Sequence, residues 1–189
     1  INNNLNQASV GFEESSQMTI KQKNLGKIYR LLTTSSYKDS YGSIIREFSS
    51  NAVDSNVSAG KLNEPVIVKY NIEENSISII DNGLGMSEEF IRDVYMSLGD
   101  STKDRNEFQI GGWGIGSKSI FSYTTHYTLI SRYNGEIKTY IISESEDLPD
   151  ALLVNTELTD ECNGVEIKFE VKSGDYSRFK TACENQLKY

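Results

Sequence analysis

The sequence predicts an α+β fold, a two-layer sandwich with helices on one face of a mixed, mainly antiparallel sheet. Three observations lead there. Apolar residues recur at helical spacing early in the chain, at Met18, Ile20, Leu25, Ile28, Leu31 and Leu32, and again at Ile44, Ile45, Phe48, Ala52 and Val53. Strand-like runs dominate the second half. Between two of them stands Asn134-Gly135, the strongest short hairpin signal in the sequence. The 189 residues suffice for one full-sized domain, and with only two prolines no linker divides them. Residues 1–12 are polar and aperiodic and read as a flexible arm. Residues 13–189 read as the domain.

The elements follow in order. Residues 15–37 predict one or two helices, broken near Gly26 or ending over residues 33–36. Asp39 or Ser40 offers the N-cap of the next helix, which Gly60 stops. Residues 66–72 and 76–80 predict a hairpin turning at 73–75. Ser87 caps a third helix that contains Phe90, Ile91, Val94 and Met96. A polar, glycine-rich stretch runs over 99–116, and a short helix follows over 117–123. Residues 126–132, 136–143, 151–157 and 165–171 predict four strands, and 176–187 a closing helix.

Composition narrows the partners. The net charge is −8 with no cluster of Lys and Arg, which disfavours direct nucleic-acid contact. No apolar run approaches the roughly 20 residues that span a bilayer. Cys162 and Cys183 are spaced neither as metal ligands nor as a disulfide framework, and a reducing compartment fits them. The single histidine, His126, reads as a strand residue, and the acidic run 144–150 as a solvated loop.

Three segments carry chemistry. In REFSSNAVDS, Glu47, Asn51 and Asp54 share one helix face at i, i+4 and i+7. Glu47 can polarise a water, and the Asn51 carboxamide oxygen suits Mg²⁺. A solvated amphipathic stripe is the plainer reading of that face alone. In DNGLGM, Asp81 at a strand end can accept from an exocyclic amine. Gly83 and Gly85 admit a flat ligand, and Met86 packs on its ring; a plain turn explains the same residues. In IGGWGIGSKS, glycines 111, 112, 114 and 116 lead into a helix start, an arrangement that holds phosphates, and Lys118 adds positive charge. The Walker A spacing fails because Ser117 occupies the lysine position.

The order Glu-x-x-x-Asn, Asp-x-Gly-x-Gly, then a long loop ending in Gly-x-Gly resembles the N, G1 and G2 boxes of the GHKL ATPases, the family of gyrase B, MutL, the heat-shock chaperone and the sensor histidine kinases. Asn163-Gly164-Val165 sits where that family places Gly-Thr, so a threonine hydroxyl is missing at Val165. The resemblance spans about residues 40–171. It implies the Bergerat fold, ATP and Mg²⁺ as ligands, Glu47 as general base, Asn51 as the Mg²⁺ ligand and Asp81 as the adenine acceptor. Asp54, Gly83, Gly85, Met86 and Val165 join them around the nucleotide. The loop 99–116 becomes an ATP lid. Ser101, Thr102, Lys103, Gly112, Trp113, Gly114, Ile115, Gly116, Ser117 and Lys118 are its candidate contacts. The γ-phosphate lysine of such enzymes usually comes from a following transducer domain. That domain is expected to be absent from this piece, and slow or no turnover is expected of it alone.

Within the lid, Ser101, Thr102, Lys103, Asn106, Phe108 and Gly114 are similar to the phage rIIA-type lysis-inhibition proteins. Gly116, Ser117, Lys118, Ser119, Phe121, Tyr123 and Thr124 extend that likeness, while Ile115 and Ile120 depart from it. This second resemblance implies a switch acting on host lysis or defence, in the cytoplasm of a bacterial host. It also implies a phage or host protein partner and association with membranes through partners. A nucleotide-dependent homodimer is plausible by analogy with gyrase and the heat-shock chaperone. The rivals are a non-hydrolysing nucleotide-binding module, a DNA-associated ATPase of the MutL or microrchidia type, and a histidine-kinase catalytic domain.

Overall fold

A computed structural model describes residues 21, 24–35, 39–97, 116–146 and 148–187. The expected arm and nearly all of the expected lid lie outside them.

Helix α1 (Leu25–Ser35) carries Gly26 in its first turn, where the sequence allowed a break. Helix α2 (Ser40–Ser58) starts on Asp39, whose carboxylate accepts from the Gly42 N–H at 3.0 Å. It ends at Ala59, and Gly60 follows with φ +74, the left-handed geometry that closes helices. The buried residues Ile44, Ile45, Phe48, Ser49, Ala52 and Asn56 trace one stripe along α2.

Strands β1 (Ile67–Asn71) and β2 (Ser76–Ile80) form the expected hairpin, with Asn75 at φ 50 in its turn. Ser87 caps α3 (Glu88–Phe90) through its hydroxyl. The chain does not continue as the one helix expected to Met96. A π-helical turn runs over Ile91–Tyr95 instead, because Met96 N–H reaches back to the Ile91 carbonyl five residues away. After the undescribed stretch, Gly116–Ser122 forms a 3₁₀ helix.

Strands β3 (His126–Tyr133), β4 (Glu136–Ser143), β5 (Asp150–Leu158) and β6 (Gly164–Glu170) precede α4 (Tyr176–Gln186). Asn134 at φ 52 and Gly135 at φ 81 make the β3–β4 turn, a pair of positive angles of the type I′ kind. The sheet order is β1-β2-β6-β3-β4-β5, and each described pairing is antiparallel. β6 therefore joins two hairpin systems that are remote in sequence. Ile167 pairs with both Ile79 and Leu129, setting one apolar row on the face that the helices cover. Among the described residues, no helix is long and apolar enough to cross a membrane.

Phe179 of α4 is fully buried and packs against Tyr41, Tyr123 and Phe169 with ring centroids 5.0–5.4 Å apart. Phe179→Ala is expected to destabilise the domain by about 3–5 kcal/mol, the usual cost of emptying a buried phenylalanine site. Chemical denaturation would measure this as a lower midpoint at unchanged slope.

Candidate functional site

Helix α2 is the spine of the site. Its buried stripe fixes its rotation, so Glu47 and Asp54 stand half-buried and Asn51 exposed on a flank beside the core. Glu47 and Ser55 are separated by eight residues, about 12 Å along a helix axis.

The C-terminal end of α2 holds the loop that follows β2. Asn56 accepts from the Asn82 N–H at 3.1 Å, and the Ser55 hydroxyl accepts from the Leu84 N–H at 3.1 Å. Lys61 donates to the Asn82 carbonyl at 2.6 Å. Gly83 is required by this packing. A Cβ there would overlap the Ser55 backbone and hydroxyl. Gly85, at φ +70, backs onto the Arg132 carbonyl with no room for a side chain. The glycines expected to admit a ligand thus serve close contacts within the chain itself. Met86 is half-buried, and the Ser131 hydroxyl bridges its N–H and carbonyl, both at 2.8 Å.

Asp81 lies within this cradle, 5 % exposed. Its Oδ1 accepts from Gly83 N–H at 2.8 Å, from the Ser55 hydroxyl at 3.3 Å and from Val165 N–H at 3.3 Å. Among the described residues, Oδ2 receives no donor. Burial pushes the carboxyl above its ordinary range. The bonds from Gly83, Ser55 and Val165 and the charge of Arg132 oppose that rise. Val165 acts here through its backbone, donating to the carboxylate and accepting from Asp81 N–H at 2.9 Å. Arg132, 8 % exposed, donates to the Asp81 carbonyl at 2.9 Å and to the Cys162 carbonyl at 3.2 Å.

At the other end of α2, Glu47 Oε1 accepts from Arg46 at 3.1 and 3.3 Å. A Cβ on Gly116 would lie 2.6 Å from Glu47 Oε2. The end of the glycine-rich loop therefore rests on the carboxylate without a side chain between them. Gly116→Ala would displace a flexible carboxylate rather than backbone. We expect thermal stability to hold, because the displaced atom is the end of a flexible side chain. A melting curve of the variant beside the parent checks this.

Ser117 and Lys118 are buried. The sequence offers Lys118 as a positive charge beside phosphates, and in the structure its ammonium turns inward. It donates to the Tyr95 carbonyl and, at 2.9 Å, to the Ser117 hydroxyl, and desolvation lowers its pKa to about 8. Ser101, Thr102, Lys103, Gly112, Trp113, Gly114 and Ile115 lie outside the described residues.

Sequence reasoning missed Ser55 and Arg132. Ser55 follows Asp54 on the same helix flank and was within reach of that reading. Arg132 carried no sequence signal beyond its place at a strand end. A metal fits this donor set if it arrives with its own oxygen ligands. Asn51 offers an exposed carboxamide one turn from Glu47, and Mg²⁺ usually takes one or two protein oxygens beside phosphates and waters.

A family model described as "Histidine kinase-, DNA gyrase B-, and HSP90-like ATPase" matches residues 37–163. The chain is also similar to chaperone proteins HtpG. It is 30% identical over 147 residues to that of Sulfurovum sp. (strain NBC37-1), covering 65% of this chain and 23% of the relative. It is 30% identical over 176 residues to that of Rickettsia typhi, covering 80% and 28%. With that of Aliarcobacter butzleri the identity is 28% over 191 residues, covering 84% and 28%. The chain thus spans about a quarter of the length of these relatives.

Proposed function

The chain belongs to the histidine kinase-, DNA gyrase B- and HSP90-like ATPases, and on that premise we propose a site in which Asp81 takes the adenine amine and Glu47 serves slow hydrolysis. The observation that carries this reading is the division of labour on Asp81. Three donors of the chain hold Oδ1, and among the described residues Oδ2 stays open. An exocyclic amine meets that need.

From there each residue has a task. Ser55, Asn56 and Val165 fix the acceptor, and Met86 lies beside the base. Asp54 lies toward the C-terminal end of α2, on the flank of Glu47 and Asn51, and joins the nucleotide contacts. Asn51 would hold Mg²⁺, which supplies charge neutralisation for the phosphates. Glu47 orients water and takes its proton at the carboxylate. Gly116 and Ser117 offer backbone N–H groups to phosphate oxygens, and Lys118 reaches them only by leaving the Tyr95 carbonyl. The lid over 99–116, with Ser101, Thr102, Lys103, Gly112, Trp113, Gly114 and Ile115, closes the site as a switch. In this reading 13–189 is one ATP-binding domain behind an arm at 1–12.

Calorimetric titration with a non-hydrolysable ATP analogue and Mg²⁺ tests the pocket. Saturable binding supports it. An absence of heat at high ligand concentration would leave the chain an interaction module. Light scattering with the analogue tests the nucleotide-dependent homodimer, which an unchanged mass would remove.

The lid residues shared with rIIA-type proteins extend the proposal to a phage-encoded switch on host lysis or defence, acting in the bacterial cytoplasm through a phage or host protein partner. Disrupting the gene in its phage is the check. An unchanged time of lysis and an unchanged host range would rule this part out.

A further inference from the structure

A cavity of about 140 Å³ opens among Tyr29, Met96, Lys118, Phe121, Tyr127 and Ile142. Of the described residues assigned to the nucleotide, Lys118 alone lines it. An engineered apolar cavity of about 150 Å³ holds benzene, so this volume suits one aromatic ring.

The walls favour a ring. Tyr29 stands edge-on to Phe121 at 6.4 Å, and Phe121 is tilted against Tyr127 at 5.7 Å. The Met96 thioether adds a polarizable surface.

Lys118 supplies the second requirement. Its side chain is buried, 5 % exposed, and among the described residues no carboxylate pairs with it. An ammonium has three donors. Two go to the Tyr95 carbonyl and the Ser117 hydroxyl, and the third is unassigned among the described residues. A buried charge without a counter-charge is costly, and an anion in the cavity offsets that cost. Burial lowers the Lys118 pKa to about 8, as expected of an ammonium that no described carboxylate offsets.

We propose that this cavity is a second ligand site for a small single-ring aromatic acid, with its carboxylate on Lys118 and its ring among Met96, Phe121, Tyr127 and Ile142. The inference does not rest on the nucleotide reading. Occupancy would hold Lys118 on the cavity side, away from the phosphates.

The probe is benzoate, titrated into the whole chain by calorimetry and by nuclear magnetic resonance, beside acetate and benzene. Benzoate should saturate one site while acetate does not. Lys118→Met should weaken benzoate by about tenfold or more, the worth of one charge-assisted hydrogen bond, and keep benzene. Equal benzoate affinity in parent and Lys118→Met, or no benzoate binding in the parent, overturns the proposal. If Lys118→Met does not fold, the Lys118 methylene resonances of the parent decide. A shift with benzoate and none with acetate supports the site, and no shift with benzoate overturns it. Asp81→Asn should leave benzoate binding intact. Its loss there would place benzoate in the nucleotide pocket and overturn the separate site.

Discussion

Asp81→Asn is expected to weaken the nucleotide analogue by at least 10-fold and up to about 150-fold, the span given by about 1.5–3 kcal/mol for a hydrogen bond to a charged group. The fold itself explains why the loss should be large. Gly83 N–H, the Ser55 hydroxyl and Val165 N–H require an acceptor at the Oδ1 position. They fix the asparagine with its oxygen there and its amide nitrogen at the Oδ2 position. A donor then faces the adenine amine, itself a donor. Stability should not suffer, because the variant removes a buried charge that desolvation disfavours. Calorimetry and a melting curve on the same sample separate the two effects. Weakened binding with an intact melt supports the pocket. Unchanged affinity would mean that Asp81 does not read the base.

The same carboxylate sets a pH dependence. Its folded pKa is raised, so the native state binds this proton more readily than the unfolded chain does. The contribution of Asp81 to stability therefore grows as pH falls through that raised pKa and is lost as pH rises through it. Nucleotide affinity runs the other way, since the acceptor must be ionised. Binding should fade on acidification before an ordinary aspartate would titrate, and Asp81→Asn should abolish that dependence.

Glu47→Gln is expected to lower hydrolysis about 10²- to 10⁴-fold, the usual worth of a general base. The amide keeps the shape of the side chain and loses its basicity. Because Glu47 is placed by α2 and not by the loop around Asp81, analogue affinity should change little. Single-turnover phosphate release at high protein concentration reads the first effect and calorimetry the second. Equal rates in parent and variant would dismiss Glu47 as the base. Arg46 belongs to the same expectation. It occupies Glu47 Oε1, so the carboxylate must turn from that partner, or use Oε2 beside Gly116, to meet a water.

Local chemistry made much of the fold legible. β2 and β4 run residue for residue where alternation placed them, and Asp39, Ser87 and Asn134-Gly135 act as cap, cap and turn. These signals depend on neighbours a few residues apart. The lateral position of β6 does not. Alternation tells which face a residue takes, not which strand lies beside it, and so the cradle that Val165 completes over Asp81 stayed hidden. The π-helical turn over Ile91–Tyr95 was invisible for a related reason. Helical spacing alone does not separate i+4 from i+5 bonding over so short a stretch. Lys118 shows a third limit. A lysine beside a glycine-rich loop suggests a phosphate, but the aromatic ring and carbonyl of Tyr95 compete for the same ammonium. The family match over residues 37–163 supports the general reading of the boxes. The roles assigned to single residues rest on the experiments above.

The place of β6 also matters while the protein is being made. A ribosome releases β1–β2 first and β3, β4 and β5 next, and each set can zip locally as a ribbon. The two-stranded β1–β2 ribbon is marginal alone, and the strand that joins it to β3 is the next-to-last element of the described chain. Until it emerges, Asp81 has no Val165 donor and the two ribbons have no common sheet. Closing this sheet must wait for β6, as slow non-local pairing generally does. A chain cut short before Gly164 would leave the two ribbons with exposed edges and Asp81 without its Val165 donor. The acceptor geometry around Asp81 would be incomplete until β6 had been made.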